Sequence, residues 1–160
     1  VPRLVDMGVD PYLIAPTLIL SIAQRLVRRR CPDAGNPMKV EGAIQAMIDN
    51  AFESVPANFA SRVPKADTVY GVQASATCPS GTRGRVGVFE FLSTTKELES
   101  VILKHPVEDE LFRVARNQGM FTMHEDAIIK ILKGEIPFEE VNALGGDILE
   151  SEDEEKPLTT

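Results

Sequence analysis

Between Ala15 and Arg30 the apolar residues fall at Leu18, Ile19, Ile22, Ala23, Leu26 and Val27, a spacing that lines one face of a helix. The spacing predicts a long helix that ends in Arg28, Arg29 and Arg30 and is stopped by Pro32. Cations in a last turn suit the negative end of the helix dipole, and Pro11 and Pro16 suit the turn that leads in. The same period returns over Lys39–Phe52, where Val40, Ala43, Ile44, Met47, Ile48 and Ala51 predict a second amphipathic helix. From Ser54 to Gly81 the period is lost among Pro56, Pro64, Gly71 and Pro79, so irregular structure is expected there, with a short strand near Thr68–Val72.

Arg85 to Leu92 is rich in Val and Phe and bounded by turn residues, which predicts a strand buried on both sides. Beyond it the start and stop signals are clear. Thr94 and Glu97 spell a capping box for a helix carrying Leu98, Val101 and Ile102. Pro106 precedes a helix with Leu111, Phe112, Val114 and Ala115, which ends at Gly119, a residue suited to a left-handed helix end. Thr122 and Glu125 form another capping box, for a helix with Ala127, Ile128, Ile131 and Leu132 closed by Gly134. Pro137 begins a last short helix through Leu144. The expected class is α+β and mainly helical. After Gly145 and Gly146 the chain turns acidic and poor in apolar residues, so 147–160 reads as a disordered tail.

Composition narrows the function. The 160 residues are 43% hydrophobic, enough for one domain whose core needs no metal or disulfide staple. Of the net charge of −7, the tail carries −5, so the remainder is close to neutral and is no general binder of polyanions. Arg25, Arg28, Arg29 and Arg30, with Arg83 and Arg85, form the one basic concentration; no aromatic residues interleave with it, which favours a protein interface or internal ion pairs over nucleic acid. The longest apolar-rich stretch, Leu13 to Val27, is broken by Pro16, Gln24 and Arg25 and falls short of the ~20 residues of a membrane span. Cys31 and Cys78 are the only cysteines, with no C-x-x-C pair and no secretory leader, so no disulfide framework, no metal site and a reducing cytoplasm are expected. The chain opens on Val1-Pro2-Arg3 without Met, as a piece of something longer would.

Chemistry finds little purchase. No G-x-x-x-x-G-K-[ST] is present, and Gly81-Thr82-Arg83-Gly84-Arg85 has the wrong spacing and feeds a strand. His105 and His124 are isolated, and Glu108/Asp109/Glu110 and Glu139/Glu140 read as helix starts. No catalytic, cofactor-binding or metal-ligating residue is therefore assigned.

Three separated motifs carry a resemblance. Arg3-Leu4-Val5-Asp6-Met7-Gly8-Val9-Asp10-Pro11-Tyr12-Leu13, followed by Ala23-Gln24-Arg25-Leu26-Val27-Arg28-Arg29-Arg30-Cys31-Pro32, comes first. Gly84-Arg85-Val86-Gly87-Val88-Phe89-Glu90-Phe91-Leu92 is second, and Asn117-Gln118-Gly119-Met120-Phe121-Thr122-Met123-His124-Glu125-Asp126-Ala127, followed by Gly134 and Glu139-Glu140-Val141, is third. In this order they resemble the part of the type II secretion and type IV pilus assembly ATPases that follows the nucleotide site. The resemblance implies the C-terminal part of a RecA-like P-loop ATPase, with a middle insertion, a short strand and a terminal helical bundle.

It implies four portions: residues 1–30 as the end of the RecA-like core with its long helix, 31–82 as the insertion, 83–146 as strand plus helical subdomain, and 147–160 as the acidic tail. The insertion resembles a zinc module of two C-x-x-C pairs that has lost its metal. Ala34 stands where the partner of Cys31 would be, only Cys78 remains of the second pair, and packing by Val40, Ile44, Met47 and Ile48 is expected to replace the zinc. An insertion of about fifty residues between Arg30 and Arg83 favours the assembly and secretion branch over the retraction motors.

ATP and Mg²⁺ would belong to the parent chain, as would the homo-hexamer, with inner-membrane platform proteins as partners, a cytoplasmic and peripheral location, and no nucleic acid. Arg25, Arg85 and Glu90 are the candidates for contacts with the nucleotide core or a neighbouring subunit; the plainer alternative is that the arginines pair with acids such as Glu90 and fix the fold. Separated from its core, the Val86–Leu92 strand would expose an edge that invites self-association. A second reading is a stand-alone protein-interaction module derived from such a motor. A degenerate zinc-ribbon nucleic-acid binder is disfavoured by the missing cysteines and the acidic balance.

Overall fold

A computed structural model describes residues 1–104 and 106–144; His105 and the predicted tail lie outside the described residues. The order is α1 (Pro2–Asp6), α2 (Pro11–Thr17), β1 (Leu20–Arg30), β2 (Asn36–Lys39), α3 (Ala43–Phe52), a 3-10 turn (Ala57–Arg62) and β3 (Thr68–Gly71). Then follow β4 (Thr82–Ser93), α4 (Lys96–Lys104), α5 (Glu108–Asn117), α6 (Met123–Leu132) and a terminal 3-10 helix (Phe138–Leu144).

The largest departure from expectation is at the start. The helix predicted over Ala15–Arg30 is instead the end of α2 followed by strand β1, which pairs antiparallel with β4 from Leu20 opposite Ser93 to Arg30 opposite Thr82. Short apolar runs satisfy periods of 3.6 and 2 alike, and here the long-range partner decides. On the inner face Ala23, Arg25 and Val27 alternate with Ile22, Gln24 and Leu26 on the outer. The three arginines thus close a strand and complement no helix dipole.

Strand β4 forms where expected, but it is not buried on both sides. Its inner face seats Val88, which is fully buried, and Val86 beside Val27 against Ala127, Ile128 and Ile131 of α6. The outer face stays open, with Ile22 53%, Leu26 56% and Phe91 50% exposed. A second core joins Ile14 and Ala15 of α2 to Leu98 and Ile102 of α4 and Leu111 and Val114 of α5. Burying an aliphatic side chain stabilises by about 1.5–3 kcal/mol, so each cluster contributes strongly to holding its own helices.

The predicted strand near Thr68–Val72 is β3, paired with β2 from Asn36 opposite Gly71 to Lys39 opposite Thr68. One expectation needs correction nearby. Cys31 and Cys78 are joined in a disulfide across 47 residues of sequence. No spacing rule points to it: β1–β4 pairing runs down to Arg30 opposite Thr82 and carries both cysteines to the same end of the ribbon. The packing expected of Val40, Ile44, Met47 and Ile48 is present, in a core they share with α6, and the disulfide and Ala34 make a separate small cluster.

The capping box at α6 forms as read: the Glu125 amide donates to Thr122 Oγ1 at 3.2 Å, and the Thr122 amide donates to Glu125 Oε2 at 2.9 Å. At α4 the cap moves one residue on. The Thr94 amide extends the ribbon by donating to the Ile19 carbonyl, and Thr95 Oγ1 accepts from the Leu98 amide instead. Gly119 has φ +83°, and a Cβ there would stand 2.6 Å from the Phe59 ring, so both conformation and space require glycine.

Candidate functional site

The residues of the third motif converge on the ribbon from the helical side. Antiparallel pairing leaves alternate amides of each strand pointing outward, and at two such points a carboxylate accepts them. Glu140, almost fully buried, accepts from the Arg28 amide at 2.8 Å and from Arg28 Nε at 2.6 Å, which holds the outer edge of β1. Asp126 accepts from the Phe89 amide at 2.8 Å, which holds the outer edge of β4, and pairs with Lys130 one turn along α6. Glu139 accepts from the Val72 amide at 3.0 Å, just past β3.

Arg30 is the hub at the end of the ribbon. Its amide donates to the Glu135 carbonyl at 2.9 Å, its Nε donates to the Gly134 carbonyl at 2.8 Å, and its guanidinium lies 4.3 Å from the centre of the Tyr70 ring. Its Nη1 donates to the carbonyls of Cys31 (3.1 Å) and Ala34, so one side chain ties ribbon, insertion and helical subdomain together. Deeper in the helical part, Arg116 is buried with Glu125. Its Nη1 donates to Glu125 Oε2 at 2.7 Å and to the Met120 carbonyl at 2.8 Å, and its Nη2 donates to Ser54 Oγ at 2.9 Å. His124, at the start of α6, has its pKa lowered by burial, an effect partly opposed by the Glu125 carboxylate.

The sequence candidates sit elsewhere on the ribbon. Arg25 lies opposite Val88 and Glu90 opposite Ala23, so both project from the inner face as diagonal neighbours. Arg85 lies opposite Arg28 on the outer face, away from Glu90. Among the described residues no ion pair joins Arg25, Arg85 and Glu90, and Arg85 and Glu90 lie on opposite faces of the ribbon. Glu90 lines a cleft of about 490 Å³ with Arg3, Asp6, Glu108, Phe112 and Met120, between α1, α5 and the ribbon.

Sequence reasoning passed over Asp126, Glu139 and Glu140, reading the last two as a helix start. They do lie in a first turn, yet Glu140 serves an amide of β1 and Glu139 the amide just past β3, both far off in the chain, which no local signal announces. The remaining chemistry is spare. The sequence contains no G-x-x-x-x-G-K-[ST] loop. The two cysteine sulfurs are bonded to each other, with Ala34 and Ser75 at the other two positions of the paired turns, so the donor set does not suit tetrahedral zinc. No described helix is long and apolar enough to cross a membrane.

These features define an α+β module in which a two-stranded ribbon is fastened by carboxylates to a helical subdomain. The chain belongs to the family described as Type II/IV secretion system protein, which it matches over residues 1–143. It is 33% identical to the type II secretion system protein E of Xanthomonas campestris pv. campestris over 142 residues, 88% of this chain and 24% of that one. It is 31% identical to the type IV pilus assembly ATPase PilB of Myxococcus xanthus, over 88% of this chain and 24% of that one. Against PilB of Pseudomonas aeruginosa the identity is 27%, over 91% and 24%. The chain therefore spans about a quarter of the length of these relatives.

Proposed function

We propose that this chain is the C-terminal module of a hexameric ATPase that powers type II secretion or type IV pilus assembly, and that it passes motion from a RecA-like nucleotide core to its helical subdomain. The observation that carries this reading is the open side of the ribbon. Ile22, Leu26 and Phe91 form an uncovered apolar face, and the β1 amides of Ile22, Gln24 and Leu26 point away from β4 with no partner among the described residues. A sheet with one covered face and a free edge of this length is built to continue. The rest of the sheet would come from the core, which also supplies the P-loop and Mg²⁺ site.

In this reading the seam at Arg28, Arg30, Phe89, Glu139 and Glu140 is the coupling element: when the core shifts the ribbon, the carboxylates carry the displacement to α6 and the terminal helix. Arg25 and Glu90 on the inner face and Arg85 on the outer would meet a neighbouring subunit or the core. Platform proteins at the cytoplasmic side of the inner membrane would take up the motion.

The test is ATP hydrolysis by this chain beside the same chain joined to whatever reading frame precedes Val1. Hydrolysis only in the joined protein is expected. An upstream frame with no P-loop and no hydrolysis would overturn the reading and leave the stand-alone interaction module in its place.

A further inference from the structure

The Cys31–Cys78 disulfide lies in the wall of a surface cleft of about 260 Å³, together with Arg29, Arg30, Asp33 and Arg83. Both cysteines are buried and form a cluster separate from the main core; among the described residues their only buried apolar companion is Ala34. Around them the two strand ends meet through backbone bonds, Cys31 amide to Gly81 carbonyl and Gly35 amide to Gln73 carbonyl, each 3.2 Å. Asp33 accepts from Ser75 Oγ at 2.7 Å and from Thr77 Oγ1. Those hydrogen bonds hold the Asp33 carboxyl below the usual range, and the cleft is lined by three arginines beside that one carboxylate.

We propose that this cleft is a reversible redox-modification site, at which an anionic low-molecular-weight thiol exchanges with the Cys31–Cys78 disulfide. The inference stands apart from the motor reading, because it rests on this cleft alone. Guanidinium groups beside sulfur favour the thiolate form, so they stabilise the leaving sulfur, and they concentrate a thiol that carries carboxylates. The incoming thiolate attacks one cysteine sulfur, forming a mixed disulfide and expelling the other cysteine as thiolate, which takes up a proton. A second thiolate attacks the mixed disulfide and releases the first cysteine. In sum, two small thiols are oxidised to their disulfide while Cys31 and Cys78 are reduced, their two protons moving to the cysteines; the reverse direction uses the same small disulfide as oxidant.

Reduction removes the covalent link between the end of β1 and the loop before β4, in a corner whose own core is two cysteines and one alanine. The turns around residues 31–34 and 75–81 then loosen from the ribbon end, while Met47, Ile48 and Val69 of the same segment stay packed in the α6 core. Arg30 is not varied in the test, because it holds the Gly134 carbonyl and lies on Tyr70. Arg29 is exposed and serves as the clean probe, with Arg83, which donates to the Thr77 carbonyl, as the second.

The oxidised full chain is titrated with reduced glutathione in native buffer at pH 7, quenched with acid and analysed by intact and peptide mass. The same reaction is run with 2-mercaptoethanol, a neutral thiol. The expected result is stepwise reduction through a trapped glutathione adduct on Cys31 or Cys78, with new protease cleavage confined to the turns around residues 31–34 and 75–81. Arg29→Gln, alone or with Arg83→Gln, is expected to slow the glutathione reaction about tenfold and the 2-mercaptoethanol reaction by clearly less, because both lose the same support for the leaving sulfur and only glutathione also loses the attraction for its carboxylates. A disulfide that survives excess glutathione, cysteines that stay free thiols in oxidising buffer, or equal slowing of both reagents would each overturn the proposal.

Discussion

Removing the Arg116 guanidinium isolates the Glu125 carboxylate inside the helical subdomain. Their side chains are 8% and 3% exposed, and Arg116 also serves the Met120 carbonyl and Ser54. Glu125 keeps one donor, the Thr122 amide of its capping box, which does not offset a buried negative charge. Breaking a buried pair by deleting one partner costs about 3–5 kcal/mol, against a total stability of about 5–15 kcal/mol for a domain of this kind. Arg116→Ala is therefore expected to lower the urea midpoint by about a fifth or more and Tm by about 10 °C, read by circular dichroism. Pairing it with Glu125→Gln removes the stranded charge and preserves an acceptor for the Thr122 amide. The double variant is expected to lose at least ~1 kcal/mol less than the sum of the single losses. A loss below about 1 kcal/mol for Arg116→Ala, or strict additivity in the cycle, would refute the argument.

The other predictions are shorter. Glu140→Gln weakens the charge-assisted bonds to the Arg28 amide and Nε, and is expected to cost about 1.5–3 kcal/mol with faster hydrogen exchange at the Arg28 amide. Gly119→Ala places a methyl against the Phe59 ring at positive φ and is expected to cost at least ~1–3 kcal/mol by thermal unfolding. His124 has a folded pKa below its ordinary 6.5, so its neutral form is the one folding favours; its contribution is whole above about pH 6.5 and is lost as pH falls through the lowered value. Accordingly, His124→Gln is expected to show a smaller drop in Tm between pH 7 and pH 5 than the unaltered chain. The Cys31→Ser, Cys78→Ser pair removes a cross-link over 47 residues and is expected to cost about 4 kcal/mol by the loop-entropy estimate, measured as a urea midpoint under oxidising conditions.

The helical third was legible because its signals are local. The Thr122–Glu125 box, Gly119 and Gly134 each act within one turn, and the α6 box and both positive φ values follow from residue type alone. Strand β4 was legible from its Val and Phe content, but its exposure was not, since a half-covered ribbon and a buried strand carry the same residues. Strand β1 was misread because Leu18 to Val27 fits two periods, and only the pairing with Phe89, Val88 and Val86 selects one. The disulfide and the carboxylate seam were invisible for the same reason: Cys31 and Cys78, Arg28 and Glu140, and Phe89 and Asp126 are each neighbours only after the ribbon has formed. The motifs Gln118-Gly119-Met120 and Glu139-Glu140-Val141 marked the family in the sequence; their physical work is fastening and capping.

The open face of the ribbon decides the account, and hydrogen exchange measures it most directly. Amides of β1, above all Ile22, Gln24 and Leu26, are compared in this chain alone and in the longer protein joined upstream of Val1. The account predicts protection of these amides by about tenfold or more in the longer protein, as they gain a strand neighbour, with α6 unchanged. Equal exchange in the two proteins would contradict it, because the ribbon would then be complete as it stands.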